Sequence, residues 1–150
     1  MYYVQQNEKI VLCDNDLIKL KNTLAFMPQY VDLPILETEK EIIGWDGKFA
    51  FKEDVKDEIE AKEKERIAKL SLTKREVFLG LYQAVGVTPD QIKAQITDPA
   101  ALIEFDYAND YYRGNPLIDI VGAKLGITSE QLDKFFETKD YTNLIPSENV

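Results

Sequence analysis

The chain has 150 residues, 45% hydrophobic and 30% charged, and its 27 acidic against 18 basic side chains leave a formal net charge of −9. That is enough chain for one domain, or a compact domain with a small appendage, and enough apolar content to exclude wholesale disorder. The acidity repels phosphate backbones and anionic lipid and attracts a basic partner, while the absence of histidine removes Ser-His-Asp, Cys-His and histidine-based metal chemistry.

The opening MYYVQQNEKIVLCDND has no basic segment followed by an apolar one, as a secretory leader would. No run in the sequence is apolar enough over a sufficient length to span a bilayer, so a cytoplasmic protein is expected. Cys13 is the lone cysteine, which excludes an internal disulfide framework and fits a reducing compartment. Tyr2 to Val4 and Lys9 to Cys13 flank a polar Gln6-Asn7-Glu8 turn and read as a hairpin. Asp14 or Asn15 then caps a helix that carries Leu17, Ile18, Leu20 and Leu24 and stops before Pro28. A second hairpin is expected from Glu41 to Trp45, the Asp46-Gly47 turn and Lys48 to Lys52, because Asp-Gly tolerates the positive φ angles of a tight turn. Residues 1–52 therefore read as a small α/β segment.

From Glu53 to Arg66 the run EDVKDEIEAKEKER alternates acid and base, with Val55, Ile59 and Ala61 as its only apolar positions. It offers i,i+4 ion pairs but no sustained a/d seam, so a solvated connecting helix is expected over 53–71. Residues 72–150 are written in helix punctuation. Thr73 with Glu76, Thr88 with Gln91 and Thr128 with Gln131 form capping boxes, each with a hydrophobic staple: Leu72 with Val77, Val87 with Ile92, Ile127 with Leu132. Asp98-Pro99 and Asn115-Pro116 add two starts, and Gly86, Gly114 and Gly126 are natural stops. Five short helices and no strands follow. The fold class expected is α+β, mostly α, with a C-terminal helical bundle.

A shift of forty residues places VGVTPDQI (85–92) on LGITSEQL (125–132), so a helix, a Gly-hydrophobe-Thr turn and a second helix occur twice. The second copy, IVGAKLGITSEQLDKFF, resembles the helix-turn-helix of DNA-binding regulators, with Gly122 as its small residue and Gly126 in the turn. In that family the second helix enters the major groove. Here that helix offers Glu130, Asp133 and Glu137 against Lys134 alone, and Tyr82 stands where the first copy needs a small residue. Docking acidic residues on phosphates is unfavourable, so the turn reads as architecture and direct nucleic-acid binding is not expected.

Over most of its length the chain is similar to a loose set of small bacteriophage and prophage proteins of unassigned role, often encoded among tail genes. The resemblance lies in MYYVQQNEKI, GWDGKFAF, the charged helix, LTKREVFLGLYQAVGVTPDQI and YANDYYRGNPLIDIVGAKLGITSEQLDKFFE. It implies an accessory or assembly protein. A phage origin also admits an inhibitor of host defence, such as an anti-CRISPR or an acidic nucleic-acid mimic; a helix-turn-helix regulator is the third reading.

No Walker loop or dinucleotide fingerprint appears, and without histidine nothing activates Cys13 as a nucleophile. Asp106 and Asp110, i,i+4 on a predicted helix, lack a recognisable third ligand, and Asp14-Asn15-Asp16 runs straight into a helix without the glycine and terminal glutamate of a calcium loop. No cofactor, no metal and no catalytic residue is expected. The candidate site is a partner-binding surface. On a helix predicted from Pro99 to Tyr112, Leu102, Phe105 and Tyr112 share one face, while Ile103, Tyr107 and Tyr111 form an i,i+4,i+8 stripe on another. If one face serves the core, the other leaves Tyr107 and Tyr111 for another protein, and Tyr112 and Arg113 at the helix end complete the candidate surface, since tyrosine with arginine is the composition of interface hot spots. The alternative is that the helix is sandwiched and buries both faces.

Overall fold

A computed structural model of the chain describes residues 1–146, so the last four residues of the expected 72–150 domain lie outside the described part. The fold is α+β, with seven α-helices and a five-stranded antiparallel sheet among the described residues, about 49% helical. The chain divides into two units, residues 1–61 and 62–150.

In the first unit, β1 (Tyr2–Gln6) and β2 (Lys9–Asp14) form the expected hairpin. Asn7 and Glu8 both take positive φ, the conformation of a two-residue turn whose twist matches the strands. Val4 faces Leu12 while Gln5 faces Ile10, which leaves Val11 as the extra residue of a β-bulge. The bulge reverses the alternation of β2. Val11 and Leu12 both pack with Val4 against Leu20 and Leu24 of helix α1 (Leu17–Ala25), whereas Ile10 pairs with Phe49.

The cap of α1 is Asp16, not Asp14 or Asn15 as expected. Asp16 Oδ1 accepts from the amides of Ile18 (2.8 Å) and Lys19 (3.2 Å), and Asp14 Oδ1 accepts from the Asp16 amide (2.9 Å), so Asp14 shapes the turn before the cap. The second hairpin joins β4 (Ile42–Trp45) to β5 (Lys48–Phe51) through Asp46 and Gly47, both with positive φ. A two-residue strand, β3 (Leu36–Glu37), pairs with β1 and completes the order β3-β1-β2-β5-β4.

Helix α2 (Lys56–Ala68) has no buried residue, and the division between the units falls inside it, after Ala61. Its Lys56–Glu60 pair, and the Glu65–Lys69 pair at its end, are exposed i,i+4 contacts that each contribute only a few tenths of a kcal/mol, about 0.3–0.5.

The second unit begins with β6 (Ser71–Thr73), followed by α3 (Lys74–Val85), α4 (Pro89–Lys93), α5 (Pro99–Tyr107), β7 (Asp110–Tyr112), α6 (Pro116–Lys124), α7 (Ser129–Thr138) and a 3-10 turn (Tyr141–Leu144). All three capping boxes form, with Thr73, Thr88 and Thr128 as caps, and Asp98 and Asn115 cap the two proline starts. The staple residues Leu72, Val77, Ile92, Ile127 and Leu132 all enter one apolar core with Leu81, Phe105, Tyr111, Phe135 and Leu144.

Besides the end of α5, two expectations for this unit fail. It is not strand-free: β6 pairs antiparallel with β7, with Leu72 opposite Tyr111. Strands of three residues leave no alternation to read, and their partners lie about forty positions apart in sequence. Gly114 is not a helix stop either. It follows the β6–β7 ribbon, where its amide donates to the Ala68 carbonyl at 3.1 Å and a Cβ would sit 3.0 Å from Ala68 Cβ.

Candidate functional site

Helix α5 ends at Tyr107 and not at Tyr112. Ala108 turns extended, with φ −67° and ψ 136°, and two residues later the chain joins the ribbon with β6. The predicted stripe is therefore real only as Ile103 and Tyr107; Tyr111, the third member, stands on a strand. Asp106 and Asp110 likewise do not share a helix face. Asp106 pairs with Lys93 Nζ at 2.7 Å, and Asp110 lies in the ribbon opposite Thr73.

The four candidate residues separate into two pairs. Tyr111 is 2% exposed, its hydroxyl donates to the Phe105 carbonyl at 2.8 Å, and its ring packs beside Phe78. Burial, and then the charges of Glu104 and Asp106, push its phenol up to about 12. Arg113 is 5% exposed. Its guanidinium meets Asp133 Oδ1 at 2.6 Å through Nε, Asp119 Oδ1 at 3.0 Å through Nη1, and Ser129 Oγ at 2.7 Å through Nη2. Asp119 stands in the first turn of α6, Ser129 opens α7 and Asp133 lies one turn further along it, so Arg113 ties the N-terminal halves of the two helices together. Both residues are parts of the fold. Tyr107, at 81% exposure, and Tyr112, at 58%, remain on the surface.

Alternation along the ribbon explains the split. With Tyr111 turned inward opposite Leu72, Asp110 and Tyr112 must face outward, one residue to either side. On α5, Phe105 is the buried residue, while Ile103 and Tyr107 are four apart on the outer side, with Glu104 next to them.

Two lysines that the sequence reading passed over organise this end of α5. Lys74 Nζ donates to the carbonyls of Phe105 (2.6 Å) and Asp106 (2.9 Å), and it lies 5.5 Å from the Phe105 ring centre. A cation on the last carbonyls of a helix offsets the negative end of its dipole. Lys93 holds Asp106. Neither lysine is close in sequence to the group it serves, and no local pattern announces them.

Elsewhere the chemistry is sparse. The Cys13 thiol is half-buried, and burial followed by the neighbouring Asp14 carboxylate pushes its pKa up, which disfavours the thiolate. Hydrogen bonds from the Asp16 backbone, and then Lys19, hold Asp14 below the usual carboxylate range. Among the described residues, no three His, Cys, Asp or Glu side chains converge as a metal site, and no helix is long and apolar enough to cross a membrane. The core of the second unit contains a cavity of about 30 Å³ lined by Val77, Leu81, Phe105, Leu117 and other apolar side chains. That is roughly the volume of a single water, in a lining that offers it almost no partners.

The chain matches no protein-family model, no curated protein and no solved structure.

Proposed function

We propose that this is a phage- or prophage-encoded protein that works by stoichiometric contact with another protein, without catalysis, as an accessory in tail or virion assembly. The observation that carries the reading is Tyr107, an aromatic side chain 81% exposed on a helix whose inner face already contributes Phe105 to the core. Scattered exposed apolar residues are ordinary, but Ile103 and Tyr107 stand four apart on one helix face, with the area and the hydroxyl that interface anchors use. The resemblance of its sequence strings to small phage proteins suggests the context, which is the bacterial host cytoplasm or the virion.

A photo-crosslinking amino acid at position 107, followed by mass spectrometry of the adducts from phage-producing cells, tests the reading. Tail or capsid components as adducts support it, and a Tyr107→Ala chain should lose the partner while its melt stays within about 0.5 kcal/mol of the parent. The second reading, an inhibitor of host defence such as an anti-CRISPR or nucleic-acid mimic, is favoured by the net charge of −9 and the exposed Glu130 on α7; it would be supported by adducts with a nuclease effector. A helix-turn-helix regulator would instead show DNA binding that weakens steeply with salt.

A further inference from the structure

Helix α2 is packed at its ends and not in its middle. At the first end, Val55 just before the helix and Ile59 within it are half-buried, and Trp45 Nε1 donates to Glu58 Oε2 at 2.9 Å. At the last end, Ile67 and Ala68 are half-buried, and the Ala68 carbonyl accepts from the Gly114 amide at 3.1 Å. Between them the run EAKEKER (60–66) is exposed at all seven positions, nearly two turns in which every face of the helix meets solvent. The division between the two units falls in this run, after Ala61. Arg66 does reach Glu137 at 2.7 Å, but the two side chains are 45% and 47% exposed, and such a pair adds little and is screened by salt. Glu, Lys, Arg and Ala are strong helix formers, which makes the run helical; without a packed face, a helix of thirteen residues is nevertheless marginal in water.

We infer that residues 60–66 are a fusible joint: this part of α2 melts to coil and re-forms while the cores of both units stay folded. Opening it costs little, because no buried side chain belongs to α2 and the backbone hydrogen bonds given up are exposed ones that water replaces. Opening either core instead uncovers side chains such as Leu20 and Leu24 in the first unit or Phe135 and Phe136 in the second. On melting, the seven-residue run lengthens from about 10 Å as helix to as much as ~23 Å as extended chain, so the joint has variable reach. It does not depend on what the protein binds.

The test is hydrogen–deuterium exchange of the full chain, read at single amides by NMR. Amides of residues 62–66 should exchange within roughly tenfold of the rate in an unstructured peptide, while the amides of Leu20, Leu24, Phe135 and Phe136 should be slowed at least about a thousandfold, as for groups that open only with their core. Ala61→Pro supplies the second measurement, since proline breaks a helix interior. In a joint outside both cores it should leave the melting midpoint of the full chain within about 4 °C of the parent, less than the shift expected from 1 kcal/mol in a domain of this size. Protection at 62–66 equal to that of Phe135, or a larger fall of the midpoint in Ala61→Pro, would show that α2 belongs to a core and overturns the inference.

Discussion

The two helix–turn–helix segments of the second unit, α3–α4 and α6–α7, share their punctuation and differ in what packs across the turn. Gly86 and Gly126 both take the left-handed conformation, and Thr88 and Thr128 both cap the next helix through a box with Gln91 and Gln131. At Gly122 a Cβ would stand 2.7 Å from Leu132 Cδ1, so α7 approaches α6 closely; forty residues earlier, Tyr82 points its side chain to solvent. Helix α7 runs ten residues and buries Leu132, Phe135 and Phe136, whereas α4 runs five and buries Ile92. Among the described residues, only the second segment is tied by a buried arginine. Capping grammar thus sets where helices start and turn, while one small residue and the length of the apolar face decide how much of the core the second helix carries.

The largest effects should fall on the side chains that make α7 a core helix. Phe135 seats its ring on α3 where Gly80 leaves room, with the Cζ atom 2.5 Å from where a Cβ would be. Phe135→Ala should cost about 3–5 kcal/mol in a urea melt, the usual range for a buried aromatic truncation. A loss under ~1 kcal/mol would mean that α7 is as peripheral as α4.

Arg113→Met keeps much of the stem but leaves Asp133 and Asp119 without their cation, and should cost about 3 kcal/mol, at the low end for a broken buried pair because both carboxylates keep contact with water. Unchanged stability would show that the second segment needs no tie.

Gly122→Ala should cost about 1–3 kcal/mol through overpacking against Leu132, while Tyr82→Ala at the matching place should stay within about 0.5 kcal/mol. Equal costs at the two positions would break the contrast. The caps should behave alike: Thr88→Ala and Thr128→Ala each lose about 1 kcal/mol, since both hydroxyls accept from the third helical amide.

Alkaline titration adds a check on Tyr111, whose phenol is raised in the folded chain to about 12 from an ordinary value near 10. A raised phenol favours the protonated, folded form. The stability it contributes is fully present below about pH 10 and is lost as pH rises toward 12. One of the eight tyrosines should therefore ionise late, together with unfolding, in the ultraviolet absorbance; full ionisation of all eight at pH 10–11 in a still-folded chain would contradict its burial.

A large part of this fold can be read locally. The three capping boxes, the two Asp/Asn-Pro starts, the Asp46-Gly47 hairpin and the charged helix all depend on residues within a few positions of one another, and they form where the pattern places them. The candidate site was half legible: the exposed pair Ile103 and Tyr107 follows from helical spacing, but Tyr111 and Arg113 do not belong with it. Nothing within the segment says that α5 must stop at Tyr107, because a run such as ALIEFDYANDYY suits a helix until Tyr111 finds Leu72 across a ribbon. That pairing, the Arg113 tie to α6 and α7, and the bulge at Val11 that turns Ile10 to the opposite face from Leu12 are decided by contacts between distant positions. Sequence alone determined where the chain caps, turns and breaks, since those interactions are local; tertiary structure decided which aromatic is core and which is surface, since burial depends on the element that happens to pack above it.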